Sequence, residues 1–271
     1  MRPLPETPAL RPGAAPLTQR SPRVVAARRL QRRRERDETG RFLVEGPQAV
    51  REASAHIEEL FATPKGVAAH PELTAGATLI NDAGLGALAE TVNPQGLVAV
   101  CRTFDVPLFE ALAKRPRLVA VLAEVRDPGN AGTVLRTADA AGAGAVIFAG
   151  DAVDPYNGKA VRASAGSLFH VDVVREEDPF HVVKALRDNG FTVLAADGYG
   201  SVSLYDAPLS GPTAWLFGTE AHGLPPELAD AADARVHVPL HGRAESLNLA
   251  AAAAVCLYAS ARVLSIEERS L

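Results

Sequence analysis

The sequence predicts an α/β protein in two parts: a C-terminal domain on a mainly parallel sheet, preceded by a smaller α/β domain. Three observations predict it. Six short runs in the second half are nearly continuously apolar, segments of helical periodicity alternate with them, and a separate strand–helix alternation fills the first half. Strands apolar on both faces must be covered on both faces, which is the pattern of a parallel sheet between helical layers.

In chain order, residues 1–17 hold five prolines and no periodicity and are expected to be a disordered extension. Arg23–Arg34 reads as one helix and Arg41–Val44 as a short extended run. Pro47–Ala55 suits a helix with proline in its first turn. Ile57–Ala62 and Ala77–Ile80 read as strands, Asn81 or Asp82 then caps a helix through about Glu90, and Leu97–Cys101 is a further strand. These elements make a domain over 18–103. A linker over 104–116 carries a short helix, Leu108–Lys114, ended by Pro116. The large domain, 117–271, has strands at Leu118–Ala123, Ala145–Ala149, His170–Val174, Thr192–Ala196, Ala214–Phe217 and Val236–Val238. Its helices fall at Gly132–Ala141, Pro179–Asp188 and Leu247–Val263.

The chain's 271 residues suffice for two modest cores. Its two cysteines, Cys101 and Cys256, exclude a disulfide framework and a four-cysteine zinc site, and no other metal-ligand cluster is readable. Apolar stretches such as Ala250–Tyr258 fall short of the ~20 residues of a membrane span. Arg2, Pro3, Pro5, Glu6 and Arg11 break any apolar leader. The expectation is a cytoplasmic protein without membrane or metal partners. The net charge of −4 conceals a local excess: residues 20–36 hold eight arginines against Glu35 alone. Phosphate binding depends on local charge. A nucleic-acid contact and a solvated helix face or basic arm both explain that run.

Three segments carry chemistry. Glu124–Ala138 follows an apolar strand; Asp127-Pro128-Gly129 makes a turn, Asn130 is positioned to cap the next helix, and Arg136 falls in its second turn. A strand ending at a Gly-rich turn and a helix N-terminus is where α/β proteins hold polar or anionic ligands. Leu216–Leu224 leaves another apolar strand, with Gly218 and Gly223 flanking Glu220. Glu220 either caps the Pro225–Ala231 helix or orients a cationic or hydroxyl group, and the neighbouring His222 is given no role. In Val236–Ala254, Ser246 is a candidate N-cap, and Asn248 needs a partner to sit inside a helix. The alanines 250–254 permit unusually close packing. Each segment alone is also explained as a turn, cap or loop. No dinucleotide GxGxxG, Walker GxxxxGK[ST] or GxSxG elbow is placed correctly.

Together and in this order, Asn130-x5-Arg136, Phe217-Gly218-Thr219-Glu220-Ala221-His222-Gly223 and Val238-Pro239…Ser246-Leu247-Asn248 resemble the SpoU (TrmH-type) branch of the SPOUT RNA methyltransferases. Gly40–Gly46 and Asn93–Val100 resemble the RNA-binding domain of these enzymes, and Asn93–Val100 also resembles their rRNA-directed and antibiotic-resistance members. The resemblance implies a deep C-terminal trefoil knot, a homodimer with active sites built from both subunits, and S-adenosylmethionine as cofactor. It implies 2′-O-methylation of an RNA ribose, with 23S rRNA as partner; tRNA methylation or a non-catalytic RNA-binding homologue are the alternatives. By carry-over, Ala196, Phe217, Gly218, Glu220, Val238, Leu240, Leu247 and Asn248 bind the cofactor. Arg136, Asn130, Glu220, Ser246 and Asn248 form the catalytic set, with Asn130 and Glu220 orienting Arg136 or its partner. Arg28, Arg32, Arg33 and Arg41 contact RNA.

Overall fold

The structure is a computed structural model and describes residues 15–269. Most of the expected extension lies outside the described residues. Leu17 lies within them and belongs to the fold, pairing in parallel with Ile80 and exchanging backbone bonds with Leu79 and Asn81. The chain forms two compact units: residues up to Phe104 together with Tyr156–Phe169, and Asp105–Pro155 together with His170–Leu271.

The expected single helix over 23–34 is two, α1 (Pro22–Arg29) and α2 (Arg33–Thr39). Arg32 is extended and restarts the helix, and the carbonyls left open at the break have a partner. The buried Arg36 guanidinium donates to Leu30 O at 2.9 Å and Gln31 O at 3.1 Å, which removes the cost of two orphan acceptors. Gly40, at φ +63°, ends α2. Then follow β1 (Arg41–Glu45), α3 (Pro47–Glu52), β2 (Ile57–Ala62), α4 (Pro64–Ala69), β3 (Thr78–Leu79), α5 (Asp82–Leu88) and β4 (Leu97–Arg102). Helix α4 was not legible in the sequence. It is capped by Thr63 and pressed so close to Gly96 that a Cβ on Gly66 would stand 2.5 Å from a carbonyl oxygen. The sheet order is β1-β4-β2-β3, with β4 antiparallel to both neighbours.

The second unit opens with α6 (Leu108–Ala113), β5 (Leu118–Ala123), α7 (Pro128–Ala140) and β6 (Ala145–Ala149). The next stretch, with α8 (Gly158–Ser164), packs with the N-terminal unit instead of the large one expected to hold it. Tyr156 packs against Phe42 with ring centroids 4.6 Å apart, and Arg162 bridges Glu45 and Glu90 at 3.0 and 2.9 Å. Then come β7 (Asp172–Glu176), α9 (Pro179–Asp188), β8 (Thr192–Ala196), β9 (Val202–Ser203), β10 (Thr213–Phe217), α10 (Pro226–Asp230), β11 (Ala234–His237) and α11 (Leu249–Arg269). Among the described residues the sheet has seven strands in the order β7-β6-β5-β10-β8-β11-β9, all pairs parallel. Strands β5, β6 and β7 progress one way, while β8 to β11 lie on the other side of β5. The crevice between the carboxyl ends of β5 and β10 is therefore the topological switch point, where open α/β sheets bind ligands.

Helix α11 packs on α7, β5 and β10, with Ala253, Cys256, Leu257 and Ser260 buried. Ser260 accepts a 2.9 Å hydrogen bond from the buried Trp215 indole, which fixes the helix on β10. Its apolar run is longer than the sequence reading allowed. Leu249–Glu267 reaches a mean hydropathy of 1.8 over 19 residues, enough by length and composition to cross a membrane. Here it is a packing helix rich in alanine. Ala251, Val255, Tyr258, Arg262 and Ile266 recur at helical spacing on its exposed face.

Candidate active site

The loop after β5 is anchored by Asp127, whose carboxylate accepts from Asn130 N at 2.8 Å and caps α7, with Pro128 at the first helical position. Asp127 rather than Asn130 is thus the cap, and the Asn130 side chain is released for another partner. That partner lies on the other two segments. Asn130 Nδ2 donates to Glu220 Oε1 at 2.5 Å, and Asn248 Nδ2 donates to the same oxygen at 2.8 Å and to Asn130 Oδ1 at 3.1 Å. Asn248 Oδ1 accepts from Ala250 N at 2.9 Å and Ala251 N at 3.3 Å, so Asn248 caps α11 in place of the expected Ser246. The cap also fixes which way the amide points: its oxygen faces the helix, so its nitrogen must face the carboxylate. Among the described residues Glu220 Oε2 makes no hydrogen bond, and the residue is exposed. Glu220 does not cap the helix that follows, whose N-cap is Pro225.

The loop holding Glu220 is closed by Thr219 and Gly223, which exchange two backbone bonds of 2.9 Å. Gly218 lies against this closure, and a Cβ there would sit 2.2 Å from the Gly223 carbonyl. Gly223 takes φ +67°, and the exposed His222 donates its backbone N–H to Thr219 Oγ1 at 3.2 Å.

A cavity of about 660 Å³ opens at the carboxyl ends of β8, β10 and β11. Ala196, Phe217, Gly218, Glu220, Val238, Leu240 and Leu247 line it, as does Ser246. Asn248 is not in the lining and acts on the wall through Glu220. Leu240 and Leu247 are 40% and 39% exposed, leaving apolar surface at the mouth. Among the described residues, no backbone N–H over 240–247 donates to the chain, so the lining residues Leu240, Glu245, Ser246 and Leu247 offer unclaimed donors. The volume lies within the ~300–1,000 Å³ usual for small-molecule sites.

Sequence reasoning missed Asp197 and Arg235 in the same wall. Asp197 Oδ2 holds the Arg235 guanidinium at 2.6 Å and Asp230 adds a 3.0 Å contact, which together raise the Arg235 pKa above its ordinary value. The Asp197-Gly198-Tyr199-Gly200 turn after β8 was the available signal. Gly200 is needed there, since a Cβ would meet Arg235 O at 2.5 Å.

Arg136 is not brought to this cluster. It lies in the third turn of α7, exposed, with no partner among the described residues. Six residues of helix carry it about 9 Å along the axis and about 240° around it from Asn130. Asn130 and Glu220 therefore orient Asn248, not Arg136. Among the described residues no three His, Cys, Asp or Glu side chains are grouped to hold a metal.

The three segments, now in one cluster, lie within a stretch that matches a known family. The model of the SpoU rRNA Methylase family matches residues 117–258, and that of the MRM3-like substrate binding domain matches 21–99. The chain belongs to the SpoU rRNA methylase family. The 23S rRNA (guanosine(2553)-2′-O)-methyltransferase RlmP of Bacillus subtilis is 35% identical over 85% of this chain and 92% of its own. An AdoMet-bound rRNA methyltransferase from Sinorhizobium meliloti superposes with a TM-score of 0.82 at 34% identity, covering 92% of this chain and 98% of that one. The SpoU methyltransferase AviRb from Streptomyces viridochromogenes, solved in complex with AdoMet, gives 0.79 at 31% identity over 90% and 98%. The resemblance drawn from the motifs is borne out at the level of family. The mixed α/β architecture with its large parallel sheet agrees with these SpoU neighbours.

The arginine run divides sharply. Arg23 pairs with Glu59 at 2.5 Å, Arg33 with Asp37 at 3.6 Å and Arg34 with Glu38 at 2.6 Å, while Arg36 is buried. Arg41 pairs with Glu58 at 2.6 Å. The side chains of Arg20, Arg28, Arg29 and Arg32 are exposed and have no partner among the described residues.

Proposed function

We propose that this SpoU-family enzyme transfers the methyl group of S-adenosylmethionine to a ribose 2′-hydroxyl of RNA, with 23S rRNA as the substrate. The observation that carries the reading is the Asn130–Glu220–Asn248 cluster at the switch point, whose Glu220 lines a cavity with an apolar mouth. The relatives named as 23S rRNA 2′-O-methyltransferases and those solved with AdoMet support the substrate and the cofactor.

The wall suits the cofactor. Adenine presents both donors and acceptors on one edge, and the unclaimed backbone N–H groups of the lining residues Leu240, Glu245, Ser246 and Leu247 answer its acceptors, while Phe217, Leu240 and Leu247 supply apolar contact. Bound there, S-adenosylmethionine supplies an electrophilic methyl on a sulfonium, so the chain's task is positioning. Glu220 Oε2 orients the ribose hydroxyl, its other oxygen being held by the two asparagines. Ser246 borders the same space. As the ribose oxygen takes the methyl, its hydroxyl proton passes to the Glu220 carboxylate that orients it, and Arg136 stabilises the developing oxyanion and the adjoining phosphate electrostatically. A guanidinium is a poor base.

Arg136 reaches that position in a homodimer. Thr133, Arg136 and Ala140 on α7 and the exposed stripe of α11 form one face of the large unit, where Tyr258 Oη contacts Ala140 O at 3.5 Å. A second copy covering this face takes the apolar stripe out of water and carries Arg136 to its partner's cavity. The same reading includes the trefoil knot, a cytoplasmic location, no metal, and RNA binding by the N-terminal unit through Arg28 and Arg32. The intact cluster favours an active enzyme over a binding-only homologue.

Calorimetry with S-adenosylmethionine and mapping of ribose methylation on rRNA from cells with and without the protein test the reading. Binding together with loss of one methylated ribose is expected; an unchanged map sinks the rRNA assignment. Arg136→Ala should keep cofactor affinity and lose methyl transfer by two or more orders of magnitude. Retained turnover would remove Arg136 from the catalytic set.

A further inference from the structure

At and beyond the rim of the cavity, two loops hold aromatic rings in solvent. Tyr199, between β8 and β9, is 97% exposed, and Tyr205, just after β9, is 73% exposed. Tyr205 is paired: its ring lies 12° from parallel to that of His241 with centroids 6.4 Å apart, and its Oη is 3.4 Å from His241 Nε2. This spacing lies within the range of interacting aromatic pairs.

The sheet explains why these residues meet. β9 and β11 pair in parallel with Val202 opposite Val236 and Ser203 opposite His237, so the two chains leave the sheet side by side at its carboxyl edge. Ser203 Oγ accepts from Tyr205 N at 3.2 Å and sets the turn that places the tyrosine. Tyr199, His237 and Leu240 line the cavity, so the Tyr205–His241 pair adjoins its rim. Arg243, two residues past His241, is exposed and has no partner among the described residues. Both rings of the pair face water, so burial does not account for them.

A ribose inside an RNA strand reaches a buried methyl donor only if its nucleotide is drawn out of the stack, and the separated bases then need new surfaces. We propose that Tyr205 and His241 form a platform on which an unpaired base of the RNA substrate stacks, with Tyr199 beside it and Arg243 taking an adjoining phosphate. The proposal rests on the RNA-methyltransferase reading and deepens it by assigning a base-recognition surface to the rim. Sequence-tolerant stacking of this kind sets affinity for the strand, while the cavity sets affinity for the cofactor.

The test uses the whole chain and an rRNA fragment that it binds, measuring fragment Kd by filter binding, KM and kcat for methyl transfer, and S-adenosylmethionine affinity by calorimetry. Tyr205→Ala and His241→Ala should each raise Kd and KM for RNA about ten-fold, with kcat and cofactor affinity near wild type. Tyr205→Phe, which keeps the ring and loses only Oη, should restore RNA affinity. Alanine variants with wild-type Kd and KM overturn the platform. So does weakened cofactor binding, which would make the pair a cavity wall, or a changed oligomeric state with unchanged Kd, which would make it a subunit contact. If wild-type protein binds the fragment but transfers no methyl, the methyltransferase reading fails, and the platform is still decided by the Kd values.

Discussion

The two units handle polar groups in opposite ways. In the seven-stranded unit, three polar side chains from segments far apart in sequence satisfy one another at a single edge, leaving one carboxylate oxygen open. In the four-stranded unit, charge is spread over two short helices and about half of it is neutralised by neighbouring carboxylates or buried. The first arrangement specifies a geometry and the second a field. A geometry fails when any part moves by an ångström, whereas a field weakens in proportion to the charges removed. The units should therefore respond differently to substitution.

The largest effect is expected at the rigid edge. Gly218→Ala places a methyl group 2.2 Å from the Gly223 carbonyl, so the Glu220 loop must shift. Overpacking of this kind costs ~1–3 kcal/mol, and S-adenosylmethionine affinity measured by calorimetry should fall at least about ten-fold. Wild-type affinity would mean that the loop tolerates displacement and that the cluster is no rigid device.

In the basic helices the response should be graded and should depend on which arginine is removed. Arg28→Ala with Arg32→Ala should lower the slope of log Kd for RNA against log salt by roughly one per residue. Arg33→Ala with Arg41→Ala, whose partners are Asp37 and Glu58, should lower it by less than half as much. Equal effects would show that the ion pairs open on binding and that intramolecular pairing does not decide which charges act.

The smallest effect concerns pH and the N-terminal unit alone. His56 packs against Phe104 with centroids 4.3 Å apart, and burial, aided by Arg102, lowers its pKa from the ordinary 6.5. The unfolded chain takes up this proton at 6.5 and the folded one resists it, so His56 makes stability fall as pH drops below about 6.5, levelling once the folded group also titrates. The denaturation midpoint should decline more between pH 7.5 and 5 in wild type than in His56→Asn. Parallel declines would assign the dependence to other groups.

The sequence exposed much of the large unit because its central strands are almost wholly apolar: the limits expected for Leu118–Ala123, Ala145–Ala149 and Thr192–Ala196 are those found. It concealed α4, which is six residues long and held by a glycine–glycine contact instead of an apolar stripe. It also concealed the break at Arg32, where a buried arginine replaces the lost helical bonds. The assignment of 158–164 to the N-terminal unit rests on pairs such as Arg162 with Glu45, more than a hundred positions apart, which no local pattern encodes.

The sequence by itself determined the α/β alternation, the family, and the three segments, because hydrophobic period, turn chemistry and motif spacing are local properties of the chain. Only the tertiary structure decided what those segments do to each other. It made Asp127 and Asn248 the caps, bound Asn130 and Glu220 to Asn248, and left Arg136 on another face of α7. It also chose which arginines stay free. The reason is that a hydrogen bond or ion pair depends on separation in space to within half an ångström, and parallel strands from distant parts of the chain set that separation.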